Sequence, residues 1–227
     1  MVVLTRHSLV WLHAAGWRAV LEQTPDPYRE EIMRWRDADW PLTVRRQDAK
    51  QIDDKLYLGI ALPPRDDEKI RLPFRVAINT IARSDTALPL MKVVPSLPLD
   101  WQDAVSRLNR AADEMGVSVG VYGSAALQSI TGLTYLHAAS DIDVLLQPST
   151  TQQLDECVRL FREFELQLPL DGEIVFDTNT AVAAREWCGA ARHDGGFRVL
   201  IKRPDGVALM RKDALISLLD CQPCMPM

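Results

Sequence analysis

Residues 120–146 read GVYGSAALQSITGLTYLHAASDIDVLL, in which two short apolar runs flank a loop that contains glycine, serine and aspartate. The first run, 117–122, has the composition of a strand and ends at Gly123-Ser124. Residues 125–131 are spaced as a short helix, and 142–146 form the second apolar run. The order strand, turn, helix, strand is typical of an α/β or α+β domain with a mixed sheet.

Two aspartates stand at the start of the second run. Asp141 and Asp143 are two residues apart, so on a strand their side chains project from one face, while Ile142 and Val144 share the opposite face. Two carboxylates placed in this way repel each other unless a cation lies between them, and Mg²⁺ prefers oxygen ligands. The pair therefore predicts one wall of a site for one or two Mg²⁺ ions.

The Gly123-Ser124 turn predicts a phosphate-binding position. Glycine lets the backbone approach a phosphate closely, the first amides of the following helix face an anion, and Ser124 adds a hydroxyl donor. A Gly-Ser turn or an Asp-x-Asp pair alone is a weak signal, since both are common on solvated surfaces. Together, with Ser124 and Asp141 separated by 17 positions, they predict phosphoryl or nucleotidyl transfer.

The rest of the C-terminal half alternates helices and strands. Apolar residues recur every three or four positions from Trp101 to Met115, which predicts an amphipathic helix. The further predicted elements are a helix capped by Ser149, a strand over 173–176, a helix over 181–188, a hairpin of 197–203 and 207–210, and a last helix over 214–219.

A proline-rich segment predicts the domain boundary. Residues 87–99 contain three prolines and few charges, which favours an extended linker. The sequence thus predicts a smaller N-terminal α+β domain over 1–86 that binds substrate or carrier, the linker 87–99, a catalytic domain over 100–220 and a tail over 221–227. Helical patterns, strand-like runs and four tryptophans supply the N-terminal domain with a small core.

Composition and charge exclude several classes of protein. Of 227 residues, 47% are apolar, which excludes general disorder. The formal net charge is −5, so a polycation that binds nucleic acid is not expected. The charge is uneven: residues 1–97 carry +2 and residues 98–227 carry −7, which is consistent with carboxylates gathered in the second half.

The cysteines and the apolar runs predict a soluble, cytoplasmic protein. Four cysteines are too few for a disulfide framework, and no apolar run approaches the ~18 residues of a membrane span. Cys157 and Cys188 lie in helical patterns typical of buried thiols. Cys221 and Cys224 form a CxxC with no second pair to complete a zinc site, so their role stays open.

The central stretch resembles the catalytic motif of the nucleotidyltransferase superfamily. More narrowly, it is similar to the phosphoribosyl-dephospho-CoA transferases, the holo-acyl-carrier-protein synthases of malonate decarboxylase. The matching positions are Tyr122-Gly123-Ser124, Gln128, Thr131-Gly132, Tyr135 and Ser140-Asp141-Ile142-Asp143. Looser similarity over 7–12, 41–46, 171–173 and 183–187 extends the resemblance to most of the chain.

The resemblance implies a nucleotidyltransferase-like mixed sheet and a defined reaction. The donor would be 2′-(5-triphosphoribosyl)-3′-dephospho-CoA and the acceptor a serine of the apo acyl carrier protein of malonate decarboxylase, with release of pyrophosphate. The residues themselves indicate the class of chemistry and do not choose this substrate. AMP transfer to another small molecule or protein, and a non-catalytic binding module that retains the fold, stay open as alternatives.

The resemblance also implies roles for acidic residues. Asp141 and Asp143 would hold Mg²⁺, and a third carboxylate is usual on a later strand in the superfamily. Glu173 is the first choice, because it opens the predicted strand 173–176, and Asp171 is the reserve. The residue that accepts the serine proton is Glu173, Asp171 or His137.

Basic and polar residues would bind the donor. Gly123, Ser124 and the adjacent amides would hold the triphosphate. Arg45 and Arg46 lie on a predicted strand and face opposite ways, so at most one of them would reach a phosphate. Lys202, on the predicted hairpin next to Arg203, would contact the donor or an acidic carrier protein.

Overall fold

The computed structural model describes residues 4–46, 54–65, 68–178, 180–190 and 197–220. The chain forms two compact units. The first comprises the residues up to Ala87, with Ile130–Tyr135 and Pro204–Gly206, and the second comprises the remainder. Both units combine helices with a sheet, which confirms the α+β class.

None of the helices within the described ranges has both the length and the apolar character needed to cross a membrane.

The first unit is built on an antiparallel sheet of five strands among the described residues, in the order β4-β3-β2-β1-β5. Trp17 and Trp35 are buried in its core, as the tryptophan content predicts. Pro73 lies inside β4 and does not break it, because β4 is an edge strand on which a missing N–H donor is tolerated. The elements are β1 (Leu9–Leu12), α1 (Ala14–Gln23), α2 (Arg29–Asp37), β2 (Leu42–Val44), β3 (Lys55–Ala61), β4 (Arg71–Ala77) and β5 (Ile81–Asp85).

The second unit contains the larger sheet and most of the helices. Its strands are β6 (Leu88–Pro89), β7 (Ser118–Tyr122), β8 (Ile142–Gln147), β9 (Leu170–Val175), β10 (Ala181–Ala183), β11 (Arg198–Lys202) and β12 (Val207–Arg211). Its helices are α3 (Leu90–Val93), α4 (Leu99–Glu114), α5 (Gly123–Thr131), α6 (Thr151–Phe164), α7 (Ala184–Ala190) and α8 (Lys212–Asp220).

The seven strands described in this unit follow the order β12-β11-β10-β9-β8-β7-β6. Neighbouring strands are antiparallel except β8 and β9, which are parallel and are connected by α6. A parallel pair needs such a crossover, because the chain must return to the same end of the sheet. As a result, the starts of β8 and β9 lie side by side.

The sequence predicts an extended linker over 87–99, but residues 88–99 are part of the second unit. They form β6, α3 and a 3-10 helix over Val94–Ser96. Leu90 and Val93 are completely buried in the core of the unit, and Leu97 is nearly so. The prolines stand at N-terminal helix positions and at a sheet edge, where the absence of an N–H costs little.

One face of the large sheet is the core face. Ile142, Val144 and Leu146 of β8 are buried against the helices, whereas Asp141 and Asp143 are half-buried on the opposite face. This is the alternation that the sequence predicts for the strand. The face with the two aspartates is called the site face below.

Cys157 and Cys188 are buried free thiols, as predicted. Burial, with a smaller contribution from the neighbouring Glu156 carboxylate, raises the pKa of the Cys157 thiol to about 12. Burial also raises the pKa of Cys188. Both thiols are therefore protonated and unreactive near neutral pH. Cys221 and Cys224 lie outside the described residues.

Gly172 allows β8 and β9 to pair closely. It lies next to Asp171 on β9 and pairs with Val144 on β8. Its φ is +153°, and a Cβ atom at this position would lie 2.0 Å from the carbonyl oxygen of Val144. Any side chain here would push the two strands apart, so the glycine is needed to keep Asp171 beside Asp143.

Replacement of Gly172 should therefore destabilise the second unit. Gly172→Ala is expected to lower the free energy of unfolding by about 3 kcal/mol or more, because backbone strain and overpacking each cost roughly 1–3 kcal/mol. Chemical denaturation followed by circular dichroism measures the change. The control is Gly189→Ala on α7, where an added Cβ meets nothing within 4 Å. Equal stability of the two variants would contradict the prediction.

Candidate functional site

Three carboxylates meet at the start of two neighbouring strands. Asp141, Asp143 and Asp171 each offer an oxygen atom, and these atoms lie within 4.8 Å of one another. All three residues are half-buried, so they are accessible to an ion yet partly withdrawn from water. Three clustered carboxylate oxygens are the donor set that hard divalent cations prefer, and the residues present therefore fit Mg²⁺.

Strand pairing produces this cluster. Asp143 pairs with Asp171 in the parallel register of β8 and β9, so their side chains leave the sheet next to each other. Asp141 is two residues before Asp143 and projects from the same face. On the other side of β8, Asp143 pairs with Tyr122, the last residue of β7. The turn after β7 is thereby brought to the carboxylates.

Gly123 lies directly beneath the Asp143 carboxylate. Its φ is +69°, and a Cβ atom built on it would lie 2.1 Å from Asp143 Oδ2. The residue thus has two reasons to be glycine, a left-handed backbone and the close approach of a carboxylate. It is also the first residue of α5, so the first amides of this helix and the half-buried Ser124 start beside the carboxylate cluster.

A short hydrogen-bonded turn holds the start of β8. The His137 amide donates to Ser140 Oγ at 3.0 Å, and the Ser140 amide donates to the His137 carbonyl oxygen at 2.9 Å. Ser140 is buried, which fixes the residue that precedes Asp141. The His137 side chain is exposed, and its Nδ1 accepts the Ala139 amide at 3.3 Å. Its role as a base stays a prediction.

Other motif residues hold the loop between α5 and β8. Gln128 donates from Nε2 to the Ser96 carbonyl oxygen at 2.6 Å and accepts the Leu136 amide at 3.0 Å. Tyr135, which is grouped with the first unit, donates from its hydroxyl to the Ala61 carbonyl oxygen at 2.9 Å. Burial raises the pKa of the Tyr135 phenol above its usual value. Gln128 and Tyr135 of the motif thus make hydrogen bonds that support the loop.

The third carboxylate of the cluster is Asp171, which the sequence analysis names as the reserve. Glu173, the first choice, is not part of the cluster. The Glu173 side chain is only 3% exposed, and Lys202 Nζ donates to its Oε1 at 2.8 Å. A buried carboxylate needs such a partner, since an unpaired buried charge is strongly destabilising. Lys202 is engaged in this ion pair, and its contact with a donor stays a prediction.

The strand start at Leu170 explains why Asp171 and not Glu173 joins the cluster. The sequence Asp171-Gly172-Glu173 has the composition of a turn, so the strand was expected to begin at Glu173. In the structure β9 begins at Leu170, because Gly172 tolerates an extended conformation tight against β8. The strand register then places Asp171, not Glu173, opposite Asp143.

Arg185 is a site residue to which the sequence interpretation assigned no role. Its Nε lies 4.0 Å from Asp171 Oδ1, and its guanidinium donates to the Leu170 carbonyl oxygen at 2.7 Å. The side chain is 60% exposed, so it offers an accessible positive charge beside the carboxylates. No local pattern reveals this position, because the contact joins the start of α7 to the start of β9.

Arg45 and Arg46 lie in the first unit just beyond the end of β2. The Arg45 amide still donates to the Tyr57 carbonyl oxygen at 3.0 Å, and its side chain lies against Gly59 of β3. Both arginines are exposed. Donor binding by either of them stays a prediction.

Sequence comparisons identify the family. Residues 5–87 match the phosphoribosyl-dephospho-CoA transferase MdcG N-terminal domain, and residues 89–213 match the corresponding C-terminal domain. The chain belongs to the phosphoribosyl-dephospho-CoA transferase family. It is therefore a transferase, as the resemblance predicted.

Several relatives carry the name phosphoribosyl-dephospho-CoA transferase. One from Xanthomonas campestris pv. campestris is 35% identical over 212 residues, which cover 92% of this chain and 95% of the relative. Another from Bradyrhizobium diazoefficiens is 33% identical over 215 residues, covering 93% and 92%. A third from Pseudomonas fluorescens is 30% identical over 203 residues, covering 86% and 87%. No solved structure matches the chain.

The contact between Gly123 and Asp143 can be tested with two glycines that share one backbone conformation. Gly123 and Gly132 both have φ +69°, but a Cβ at Gly132 meets nothing within 4 Å. Alanine at either position should cost about 1–2 kcal/mol of stability from the left-handed backbone. Only Gly123→Ala should also weaken Mg²⁺ binding, by tenfold or more, because its Cβ displaces the Asp143 carboxylate. Isothermal titration calorimetry measures the affinity, and equal affinities for both variants would refute the argument.

A second pair of variants separates Asp171 from Glu173. Asp171→Asn removes one of three clustered charges and should weaken Mg²⁺ binding at least tenfold. Glu173→Gln keeps an oxygen that accepts from Lys202 and should change the affinity less than about twofold. The same titration distinguishes them. Weaker binding by the Glu173 variant with unchanged binding by the Asp171 variant would reverse the assignment.

Proposed function

We propose that this transferase moves the phosphoribosyl-dephospho-CoA group from 2′-(5-triphosphoribosyl)-3′-dephospho-CoA to a serine of the apo acyl carrier protein of malonate decarboxylase. The serine oxygen forms a new bond to the phosphorus nearest the ribose, and the bond from that phosphorus to pyrophosphate breaks. The serine proton leaves to a base, so a phosphodiester and pyrophosphate are the products. The observation that carries the proposal is the cluster of three carboxylates beside Gly123-Ser124, in a chain of this family.

Backbone amides, a hydroxyl and an arginine would bind different parts of the triphosphate. The first amides of α5 and the Ser124 hydroxyl would donate hydrogen bonds to phosphate oxygens, and the helix dipole favours negative charge at this end of α5. Gly123 would contribute its backbone to this turn, while the space left by its missing side chain is occupied by the Asp143 carboxylate. Arg185, anchored by the Leu170 carbonyl oxygen, would attract the departing pyrophosphate with its exposed guanidinium.

Asp141, Asp143 and Asp171 would hold one or two Mg²⁺ ions. When bound, Mg²⁺ would offset the negative charge that gathers on the transferred and departing phosphates. These residues would hold the cation beside the turn after β7, since the Asp143 carboxylate lies against Gly123. The closeness of the Gly123-Ser124 turn to the acidic start of β8 supports the nucleotidyltransferase-like chemistry that the sequence resemblance implies.

The proton acceptor must be a carboxylate or imidazole near the attacking oxygen. Asp171 belongs to the cluster and is half-buried, which makes it the better placed of the two β9 carboxylates. Glu173 is buried, and its Oε1 already accepts a hydrogen bond from Lys202, so it is less accessible to an attacking hydroxyl. His137 is exposed and keeps Nδ1 occupied by a backbone amide. We therefore assign the base to Asp171 before Glu173 and His137.

A transfer assay tests the proposal. The protein is incubated with the triphosphoribosyl donor, Mg²⁺ and the apo carrier protein, and the carrier is weighed by mass spectrometry while pyrophosphate is quantified. Asp141→Asn and Asp143→Asn should each slow transfer at least about a hundredfold, since charge neutralisation by a metal is worth several kcal/mol. The control is Asp100→Asn, which changes an exposed carboxylate on α4.

Three results would overturn the proposal. They are full activity in both aspartate variants, no mass increase of the carrier, or AMP transfer when ATP replaces the donor. The last result would favour a nucleotidyltransferase with another substrate.

A further inference from the structure

The β11–β12 hairpin exposes apolar side chains on one face. Leu200, Val207 and Leu209 are 38%, 51% and 62% exposed. Leu200 pairs directly with Leu209, so their side chains lie next to each other. The alternate residues of β11, Val199 and Ile201, are buried in the core. Large apolar side chains that are exposed together on an edge hairpin are typical of an interaction site.

This apolar group lies on the site face of the sheet. Lys202 of β11 reaches Glu173 of β9, which shows that the two side chains leave the sheet on the same side. Leu200 is two residues from Lys202, and Asp171 is two residues from Glu173, so both also lie on that side. β9 and β12 are three strands apart, and Val207 lies level with Val175, four residues along β9 from Asp171. The apolar group therefore lies roughly 10–20 Å from the carboxylates.

The hairpin is a basic island in an acidic half of the chain. Residues 197–212 contain five basic residues and one acidic residue, whereas residues 98–227 as a whole carry −7. Two of the five basic side chains pair with carboxylates outside this segment, Lys202 with Glu173 and Arg211 with Asp213. Arg198 is exposed and projects on the same side as Leu200, two residues away. A partner that complements this surface presents acidic groups around an apolar contact.

We propose that Arg198, Leu200, Val207 and Leu209, here called the hairpin face, form the surface on which the acceptor protein docks. The inference rests on the proposed function, because it takes the acceptor hydroxyl to belong to a protein. A domain of about 100 residues has a radius of gyration of ~13 Å, so it can cover the hairpin face while its serine reaches the carboxylates. The acidic surface of the partner is attracted by Arg198 and its apolar residues cover Leu200, Val207 and Leu209.

The test reverses charge and polarity on this surface without touching the site. The double variant Arg198→Glu with Leu209→Glu alters two exposed side chains of the hairpin. The control is Leu99→Glu with Arg110→Glu, which makes the same changes on α4 at exposed positions. α4 packs on the core face of the sheet, so the control lies away from the site face. Circular dichroism and thermal unfolding verify that both variants fold.

The expected result is a selective defect toward the acceptor. In the transfer assay the hairpin variant should raise KM for the apo carrier protein at least tenfold, while KM for the triphosphoribosyl donor stays within about twofold. Titration calorimetry of the apo carrier protein without donor should show the same loss of affinity. The kcat/KM of the unaltered protein should fall as salt is added, and that of the hairpin variant should fall less. The control variant should match the unaltered protein.

The outcomes separate the inference from the function on which it rests. If the unaltered protein loads the carrier and the hairpin variant shows an unchanged KM for it, the docking surface is refuted while the function stands. A higher KM for the donor alone would show that the hairpin face binds the donor, which also refutes the inference. If the unaltered protein does not modify the carrier, the proposed function fails, and the inference fails with it.

Discussion

Repulsion among three neighbouring carboxylates is the physical constraint on which the site in the second unit depends. Two carboxylate charges 4.8 Å apart repel each other by roughly 1 kcal/mol in bulk water and by about 3–4 kcal/mol at an effective dielectric constant of ~20. Asp141, Asp143 and Asp171 nevertheless lie together, because backbone pairing of β8 with β9 places them there. Arg185 offsets part of this repulsion from one side. A divalent cation, if bound as proposed, would offset the remaining repulsion.

Two glycines make that register possible. Gly172 removes the side chain that would separate β9 from β8, and Gly123 removes the one that would displace the Asp143 carboxylate. Both positions lie within one strand pairing of the cluster, on opposite sides of β8. The geometry of the site therefore depends on these two glycines as well as on the three carboxylates. The turn after β7 and Asp143 on β8 therefore lie close enough to form the one site proposed for phosphate and metal.

The buried pair of Glu173 and Lys202 connects the carboxylate cluster with the hairpin. It crosses from β9 to β11 over the alanines of β10, whose small side chains leave room for the long lysine. A buried ion pair of this kind contributes orientation more than net stability, because desolvation opposes the attraction. It keeps Lys202 on the site face and so sets the side on which Leu200 and Arg198 project. The carboxylate cluster and the proposed docking surface thus lie on the same face of the sheet.

The sequence by itself determined the α+β class, the buried thiols, the alternation of β8 and the closeness of Asp141 to Asp143. Each depends on periodicity or on neighbours in the chain, which local geometry controls. Only the tertiary structure placed Asp171 opposite Asp143, paired Glu173 with Lys202 and brought Arg185 to the cluster. It also made residues 88–99 part of the second unit. These outcomes depend on strand register and on burial between distant segments, and a one-residue change of register would reverse which side chains reach the site. The Asp171-Gly172-Glu173 sequence resembles a turn but forms part of β9, because only glycine fits against the backbone of β8 at position 172. The local sequence does not show this close approach.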